Sequence, residues 1–197
     1  MILPEGYSDI PVGKIAAVVT HLEMRAAREL PSDPPGSWTF RRVEAPDLDW
    51  YRDLHRRVGA DWLWVSRLRL SDAELAAIIH ADGVEHYTLE QDGRAEAQLE
   101  LDFRKPGDCE IVYFGVTAQL IGTGAARFLM NRALRRAWSQ GGHRVWLHTC
   151  TFDSPRALAF YERSGFCPFC CQVEVIDDPR LDGALPRHVA PHVPLIV

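Results

Sequence analysis

Residues 112–138 constrain the fold most, because an apolar segment there runs through two glycines into a strongly patterned helix, VYFGVTAQLIGTGAARFLMNRALRRAW. The apolar run CEIVYFGV, residues 109–116, has the β-branched and aromatic residues of a strand that is buried on both faces. A helix is predicted from about residue 124 to 140, and the segment RVWLHTCT after it is typical of another buried strand. We therefore expect a strand, a glycine loop, a helix and a second strand at the centre of the fold.

The N-terminal half predicts further strands and helices around this centre. Residues 14–24, KIAAVVTHLEM, are compatible with a strand and precede a proline-rich loop, PSDPPGS. Helices are expected over LDWYRDLHRRV and after Ser71, which has the capping-box spacing to Glu74. The dipeptide Asp92-Gly93 predicts a tight hairpin between VEHYTLEQ and AEAQLELDF.

The C-terminal part adds one helix and one strand. Ser154 is the predicted N-cap of the helix, Pro155 its first residue, and CCQVEVI is the last strand. The element order is that of an α+β fold, with a sheet covered by helices. The chain divides into an N-terminal extension (1–37), a main domain (38–176) and an irregular tail that packs on that domain (177–197).

Composition excludes several classes of protein. The 197 residues suit a single globular domain, and a net charge of −5 argues against a nucleic-acid partner. No apolar stretch approaches the roughly 18 residues of a membrane span, and no signal segment is visible at the N-terminus. A cytoplasmic protein without a membrane partner is expected, and its five cysteines are expected to be reduced.

The glycine loop suits an anion. Backbone amides at a helix start lack partners within the helix, and the helix dipole adds partial positive charge there. Gly122 and Gly124 let another group approach this backbone closely, so a pyrophosphate is the natural ligand. A loop that merely changes the chain direction is the alternative. The loop lacks the Gly-Lys-Ser/Thr of a Walker motif and the third glycine of a dinucleotide fingerprint.

A second motif lies downstream. The pair of Q-x-x-G-x-G at 119–124 and A-x-x-F-Y-x-x-x-G-F at 157–166 resembles the GNAT superfamily of acetyl-CoA-dependent N-acetyltransferases. The resemblance implies a mostly antiparallel, splayed mixed sheet with helices on both faces. It also implies acetyl-CoA as co-substrate and no metal. Leu120 departs from the pattern, since glycine is usual there, but its amide is expected to stay available.

The resemblance also assigns residues. Tyr161 would protonate the departing thiolate, which a phenol with a pKa of about 10 can do at neutral pH. Ser154 stands where many members have asparagine, near the pantetheine end or the helix start. The strand residues expected along the pantetheine arm are Phe114, Gly115 and Val116. The loop residues assigned to the pyrophosphate are Gln119, Leu120, Ile121, Gly122, Thr123, Gly124 and Ala125.

The attacking ammonium must lose a proton, so a base or an ordered water is required. Glu110 is the candidate, because some family members carry a glutamate on that strand; Glu100 and Asp102 are its rivals. All three could instead be solvated carboxylates at strand ends. For the acceptor amine, the candidates are Trp62, Trp64 and Arg67, although core packing of the two tryptophans is an equally good interpretation.

Cysteine and histidine pairs near the C-terminus superficially resemble a zinc finger. Cys167-x-x-Cys170 precedes His188-x-x-x-His192, but Pro191 interrupts the second pair where a finger requires helix. The cysteines are therefore expected to be small core residues of the last strand, and no metal is predicted. His148 is expected to be a satisfied core histidine, although it could approach the cleft.

The predicted function is transfer of an acetyl group from acetyl-CoA to a primary amine of a small molecule or peptide by direct attack. Cys109 and Cys150 offer thiols, but no His/Asp partner pattern supports a cysteine nucleophile. The alternatives are an inactive acyl-CoA-binding sensor or interaction module and a zinc-stabilised interaction domain. A homodimer is left open.

Overall fold

A computed structural model of the protein describes residues 5–197. These residues form an eight-stranded sheet and four α-helices. The strands are β1 (Lys14–Met24), β2 (Thr39–Val43), β3 (Val84–Gln91), β4 (Arg94–Ala95), β5 (Ala97–Asp102), β6 (Asp108–Val116), β7 (Arg144–Cys150) and β8 (Cys167–Asp177). The helices are α1 (Leu48–Gly59), α2 (Asp72–Ile79), α3 (Ala125–Trp138) and α4 (Ala157–Arg163).

The sheet is mixed and mostly antiparallel. Its strand order is β2-β3-β5-β6-β7-β1-β8, and β4 pairs with β3 alone. β6 and β7 run parallel, whereas the other described pairs are antiparallel. The predicted α+β class with a mostly antiparallel mixed sheet is confirmed.

The strand at residues 14–24 is present and lies inside the sheet. β1 pairs with β7 on one side, where Val19 faces Cys150, and with β8 on the other, where Val18 faces Val173. The N-terminal extension therefore contributes an inner strand to the same sheet as the rest of the chain.

Side chains of β5 alternate between two layers. Leu99 and Leu101 belong to the main core together with Leu129 of α3. Between them, Glu100 accepts a hydrogen bond of 2.7 Å from the Tyr51 hydroxyl of α1. Because successive side chains of a strand point to opposite faces, α1 and α3 cover opposite faces of the sheet. The prediction of helices on both faces is confirmed.

Two short-range signals in the sequence form the predicted structures. The Ser71 side chain accepts from the Glu74 amide, and the Glu74 carboxylate accepts from the Ser71 amide at 2.9 Å, which is a complete capping box. Asp92 and Gly93 both have positive φ, 52° and 76°, as a tight hairpin turn requires. Both signals act within a few residues, so neither depends on the tertiary fold.

The predicted start of the last helix is wrong. α4 begins at Ala157, and its N-cap position is Arg156 without a side-chain cap. Ser154 and Pro155 lie in the preceding turn, where the Ser154 carbonyl accepts from the Ala157 amide at 2.8 Å. The Ser154 hydroxyl accepts weakly from the Arg156 amide at 3.4 Å, so Ser154 stabilises a turn and not the helix.

The prediction that the cysteines of the last strand are core residues is also wrong. Cys167, Cys170 and Cys171 are exposed free thiols. β8 is one of the two edge strands of the sheet, and nearly all of its residues are exposed. Within residues 5–197, no group of three potential metal-binding side chains converges, and His192 bonds the Phe152 carbonyl at 2.9 Å.

The residues after β8 pack on the face that α1 covers. Leu185, Val189 and Val193 join Leu63 and Phe152 in a second apolar cluster. The buried Arg180 guanidinium pairs with Asp178 at 2.7 Å and donates to carbonyls of the tail, including that of Val193 at 2.8 Å. This arginine satisfies backbone acceptors that no secondary structure satisfies.

In the described part of the chain, no helix has the length and apolar character needed to cross a membrane.

Candidate active site

The site lies where β6 and β7 separate. The two strands pair only from Asp108↔Arg144 to Glu110↔Trp146, although both continue further. Beside this point, Leu101 of β5 faces Ile111 while Glu100 faces Tyr113, so Val112 is an extra residue that bulges from β6. The splay predicted from the family resemblance is present, and it opens a cavity of about 530 Å³.

Because of this opening, neither strand is buried on both faces as the apolar patterns predict. From Val112 to Val116, β6 is only partly buried, and burial alternates along β7. The apolar residues of β6 that look like core in the sequence therefore form a cavity wall. The composition of a cavity lining and that of a core are the same here, so the sequence could not separate them.

The cavity has two ends with different walls. The first, called here the glycine-loop end, comes from the loop before α3 and from α4, on the α3 face of the sheet. The second, called the tryptophan end, comes from the segment after α1 and from residues after β7. The glycine-loop end is lined by Leu120, Ile121, Gly122, Gly124, Ala126, Ala157, Phe160 and Arg163. The tryptophan end is lined by Trp62, Leu63, Trp64, Ser66, Arg69, Phe152, Asp153 and Ile176.

Backbone amides at the glycine-loop end are partly free. Those of Gly122, Gly124 and Ala126 donate to no group among residues 5–197. Gly122 and Gly124 have φ of 82° and 96°, a region that favours glycine. A free set of amides at the start of the 14-residue helix α3 fits a pyrophosphate. Arg156 and Arg163 also line the cavity, and neither pairs with a carboxylate within the described chain.

The expectation that the Leu120 amide is free is wrong. It donates to the Thr117 carbonyl at 3.0 Å, inside a short 3-10 helix (Ala118–Leu120). The Leu120 side chain is buried in the main core, which accounts for a leucine where glycine is usual in the family. Three other amides assigned to the pyrophosphate also have partners within the loop, namely those of Ile121, Thr123 and Ala125.

Tyr161 lies between the two ends of the cavity. Its ring packs against Phe114 and Phe166 with centroid distances of 6.0 and 6.3 Å. Tyr161 lines the cavity, and its hydroxyl makes no hydrogen bond with any described residue. Burial, and secondarily the negative charge of Asp153, raises the pKa of Tyr161 well above its ordinary value. The phenol therefore keeps its proton at neutral pH and can donate it.

Two thiols near the site also stay protonated. Burial raises the pKa of Cys150 to about 11, with a further contribution from Asp153, and raises that of Cys109 to about 12. Since the thiolate is the nucleophilic form of cysteine, neither residue is prepared for covalent catalysis. This agrees with direct attack by the acceptor on a thioester.

His148 is not a core histidine as predicted. It lies on the cavity wall, with its ring 5.5 Å from that of His21 on β1. Desolvation and the neighbouring His21 lower its pKa, so the ring is neutral at neutral pH. A neutral imidazole can accept a proton, which makes His148 a second candidate for the base.

Glu110, the predicted base, does not line the cavity. It faces Asp102 across β5, and burial together with the charges of Asp102 and Glu100 raises its pKa to about 7. A carboxylate with this pKa exchanges protons near neutrality, but it would reach the cavity only through water. Its catalytic role stays a prediction.

The predicted acceptor residues divide into two groups. Trp62 and Trp64 line the tryptophan end, whereas Arg67 does not. The Arg67 guanidinium donates to the buried Glu100 at 2.7 Å and lies 5.3 Å from the Tyr113 ring centroid. Arg67 therefore neutralises Glu100 behind the cavity wall.

The other predicted residues are distributed around the cavity. Phe114, Gly115, Val116 and Ser154 line it, while Gln119, Thr123 and Ala125 do not. Sequence reasoning missed Tyr113, Phe152 and Asp153. Asp153 directly follows the strand β7 and the loop motif Thr151-Phe152, and that position is the signal that could have indicated it. Tyr113 and Phe152 gave no signal beyond their apolar character.

The splayed sheet, the free amides at a helix start and the unbonded tyrosine are features that the resemblance to acetyl-CoA-dependent acyltransferases implies. A model of the acetyltransferase (GNAT) family matches residues 27–166. The chain belongs to this family, which generally uses acetyl-CoA.

Solved structures share the fold. A GCN5-related N-acetyltransferase from Sphaerobacter thermophilus aligns with a TM-score of 0.62 at 15% identity, over 82% of this chain and 52% of that chain. One from Kribbella flavida has a TM-score of 0.56 at 16% identity, over 87% and 63%. The ribosomal-protein-S18-alanine N-acetyltransferase of Escherichia coli has a TM-score of 0.56 at 15% identity, over 72% and 94%. No curated protein matches the sequence.

These identities show a common fold only. The chain also spans about half the length of the Sphaerobacter protein, 52%, and 63% of the Kribbella protein.

Proposed function

We propose that the protein transfers an acetyl group from acetyl-CoA to a primary amine of a small molecule or peptide by direct attack. The observation that carries the proposal is the position of the Tyr161 hydroxyl. Tyr161 lines the same cavity as Gly122 and Gly124, whose amides are free, and its hydroxyl has no partner among the described residues. An acid and an anion-binding loop that share one cavity suit a thioester whose carrier contains a pyrophosphate.

Acetyl-CoA would supply the acetyl group as a thioester, in which the carbonyl carbon is open to attack. The amides of Gly122, Gly124 and Ala126 would hold the pyrophosphate, with the unpaired Arg156 and Arg163 nearby for further phosphate charge. Phe114, Gly115 and Val116 would line the path of the arm along β6. Each of these groups binds without changing its protonation state.

Two protons must move as the C–N bond forms and the C–S bond breaks. Tyr161 would give its proton to the departing sulfur, because its raised pKa keeps it protonated until then. The amine would lose a proton to Glu110 through water, or to His148 on the cavity wall. Cys150 remains a thiol, so no acyl-enzyme is expected.

The experiment is a CoA thiol-release screen with acetyl-CoA against amino acids, polyamines, aminosugars, aminoglycosides and peptide N-termini. Calorimetric titration with acetyl-CoA runs in parallel. Thiol release with at least one amine, together with a 1:1 acetyl-CoA titration, is the expected result. Binding without release across the whole panel would instead support an inactive acyl-CoA-binding sensor, and absence of binding would refute both.

A further inference from the structure

Asp153 is a carboxylate that is held in place without a counter-ion. It lies in the turn between β7 and α4 and lines the tryptophan end of the cavity. Its Oδ1 accepts from the Trp64 indole N–H at 3.0 Å, and its Oδ2 accepts from the Thr149 hydroxyl at 2.7 Å and the Cys150 amide at 3.0 Å. All three donors are neutral, so the carboxylate is oriented without an ion pair that offsets its charge.

Other carboxylates at the sheet differ in this respect. Glu100 pairs with Arg67 at 2.7 Å, and Asp178 pairs with Arg180 at the same distance. No arginine, lysine or histidine of residues 5–197 comes within ion-pair distance of Asp153. A half-buried carboxylate that lines a cavity without an ion-pair partner is suited to a cation from outside the chain.

The donor that fixes Asp153 is itself fixed. The Trp64 indole lies between two glycines, where a Cβ at Gly59 would come within 2.5 Å of the ring and one at Gly115 within 3.1 Å. Glycine at both positions makes room for the indole between α1 and β6. Its N–H then points across the splay to the residue after β7, so Trp64 is a positioning residue for Asp153.

Most of the other residues at the tryptophan end are apolar. Trp62, Leu63, Phe152 and Ile176 line it. Arg69 also lines it, but its guanidinium is paired with Asp182 of the tail. A ligand that carries a carboxylate would meet Asp153 and the paired Arg69 at this end, whereas an ammonium on an apolar body would find both an ion pair and apolar contacts.

We infer that Asp153 binds the ammonium group of the acceptor, and that the acceptor is a primary amine on an alkyl or arylalkyl body without a carboxylate. This inference rests on the proposed acetyl transfer and adds the class of acceptor. Acetylation turns the ammonium into a neutral amide, so the product loses the ion pair that held the substrate. Asp153 thus favours the exchange of product for a new amine.

The probes are 2-phenylethylamine and its neutral analogue 2-phenylethanol, with L-phenylalanine as the carboxylate-bearing amine. Each is titrated as a ligand of the acetyl-CoA-loaded protein and tested as a substrate or competitive inhibitor. Wild-type protein should bind 2-phenylethylamine about tenfold or more tightly than either analogue, since hydrogen bonds to charged groups are the strong ones. Asp153→Asn should abolish the preference for the amine over the alcohol while acetyl-CoA affinity stays unchanged.

Two further variants test whether the effect of Asp153→Asn is specific or reflects a general disturbance of the turn that contains Asp153. Trp64→Phe keeps an aromatic ring but loses the donor to Asp153, and it should reduce the preference by a smaller factor. Glu174→Gln removes another carboxylate of the cavity lining and should leave the preference intact.

A preference that survives in Asp153→Asn, or one that is lost only in Glu174→Gln, would overturn the assignment. So would a wild-type protein that binds acetyl-CoA and shows no preference. A wild-type protein that binds no acetyl-CoA would instead contradict the proposed function, so the two failures are distinguishable.

Discussion

The two ends of the cavity present different kinds of chemical group. The glycine-loop end presents backbone amides over a stretch of a few residues, from Gly122 to Ala126. The tryptophan end presents side chains that are distant in the chain, since 89 residues separate Trp64 from Asp153. The first end depends on local conformation, whereas the second depends on how the sheet brings separate segments together. The comparison indicates which end binds a ligand common to many relatives and which end is particular to this chain.

The largest expected effect tests whether the two ends meet at Tyr161. Tyr161→Phe should lower kcat about 100-fold, because it removes the proton donor for the departing thiolate. Acetyl-CoA affinity should change little, since the ring and its contacts with Phe114 remain. Steady-state kinetics and calorimetry measure the two quantities. Tyr87→Phe is the control, because it removes another buried phenol that bonds Glu85 away from the cavity. Equal turnover in both variants would rule out Tyr161 as the acid.

A smaller effect is expected at the glycine-loop end alone, on the affinity for acetyl-CoA. Gly122 and Gly141 both have positive φ, 82° and 69°, and a Cβ at either meets no atom within 4 Å. Alanine at either position should therefore cost a similar free energy of unfolding, roughly 1–2 kcal/mol. Only Gly122 lines the cavity, so Gly122→Ala should weaken acetyl-CoA binding about tenfold and Gly141→Ala should not. Equal acetyl-CoA dissociation constants in the two variants would argue against pyrophosphate binding by the loop.

The smallest expected effect tests which residue is the base that takes the proton from the amine. Burial raises the pKa of Glu110 from 4.5 to about 7, so this residue favours the folded state at low pH and that contribution is lost as pH rises through 7. Glu110→Gln should flatten the dependence of unfolding free energy on pH between about 4.5 and 7. If Glu110 is also the base, the acidic limb of the kcat/KM profile near pH 7 should disappear in the same variant.

His148→Gln is the matched variant for the rival base. If the acidic limb of the kcat/KM profile persists in Glu110→Gln and disappears in His148→Gln, the base is His148. Chemical denaturation at several pH values and pH–rate profiles of both variants provide the data.

Local chemistry explains what the sequence could predict. The capping box of Ser71, the Asp92-Gly93 turn and the glycine loop each follow from a few adjacent residues, and the family motifs added the splay and Tyr161. Burial was harder to predict. Val112 to Val116 has the composition of core, yet the bulge and the separation of β6 from β7 make it a cavity wall.

Two of the errors arise from tertiary pairing and one from local structure. Cys167 and Cys170 are predicted to be core residues because β8 is apolar enough, but the strand lies at an edge of the sheet and both thiols are exposed. Leu120 read as a free amide because its bond to Thr117 arises from a short 3-10 helix that the glycines mask. Asp153 was missed despite its position after β7, because its hydrogen bond with Trp64 joins residues that are distant in the chain.

The position of β1 has a consequence for how the chain reaches this fold. β1 and β8 both lie outside the residues that the family model matches, and they pair with each other. Their contacts close very long loops. Glu23 bonds Arg144 across a separation of 121 residues, and Lys14 bonds Asp177 across a separation of 163 residues. During synthesis β1 therefore emerges first and waits, unpaired, until almost the whole chain has been made, so we expect slow folding dominated by non-local contacts. A fragment trimmed to residues 27–166 would retain the motifs but lose the pair of strands that completes the sheet beyond β7.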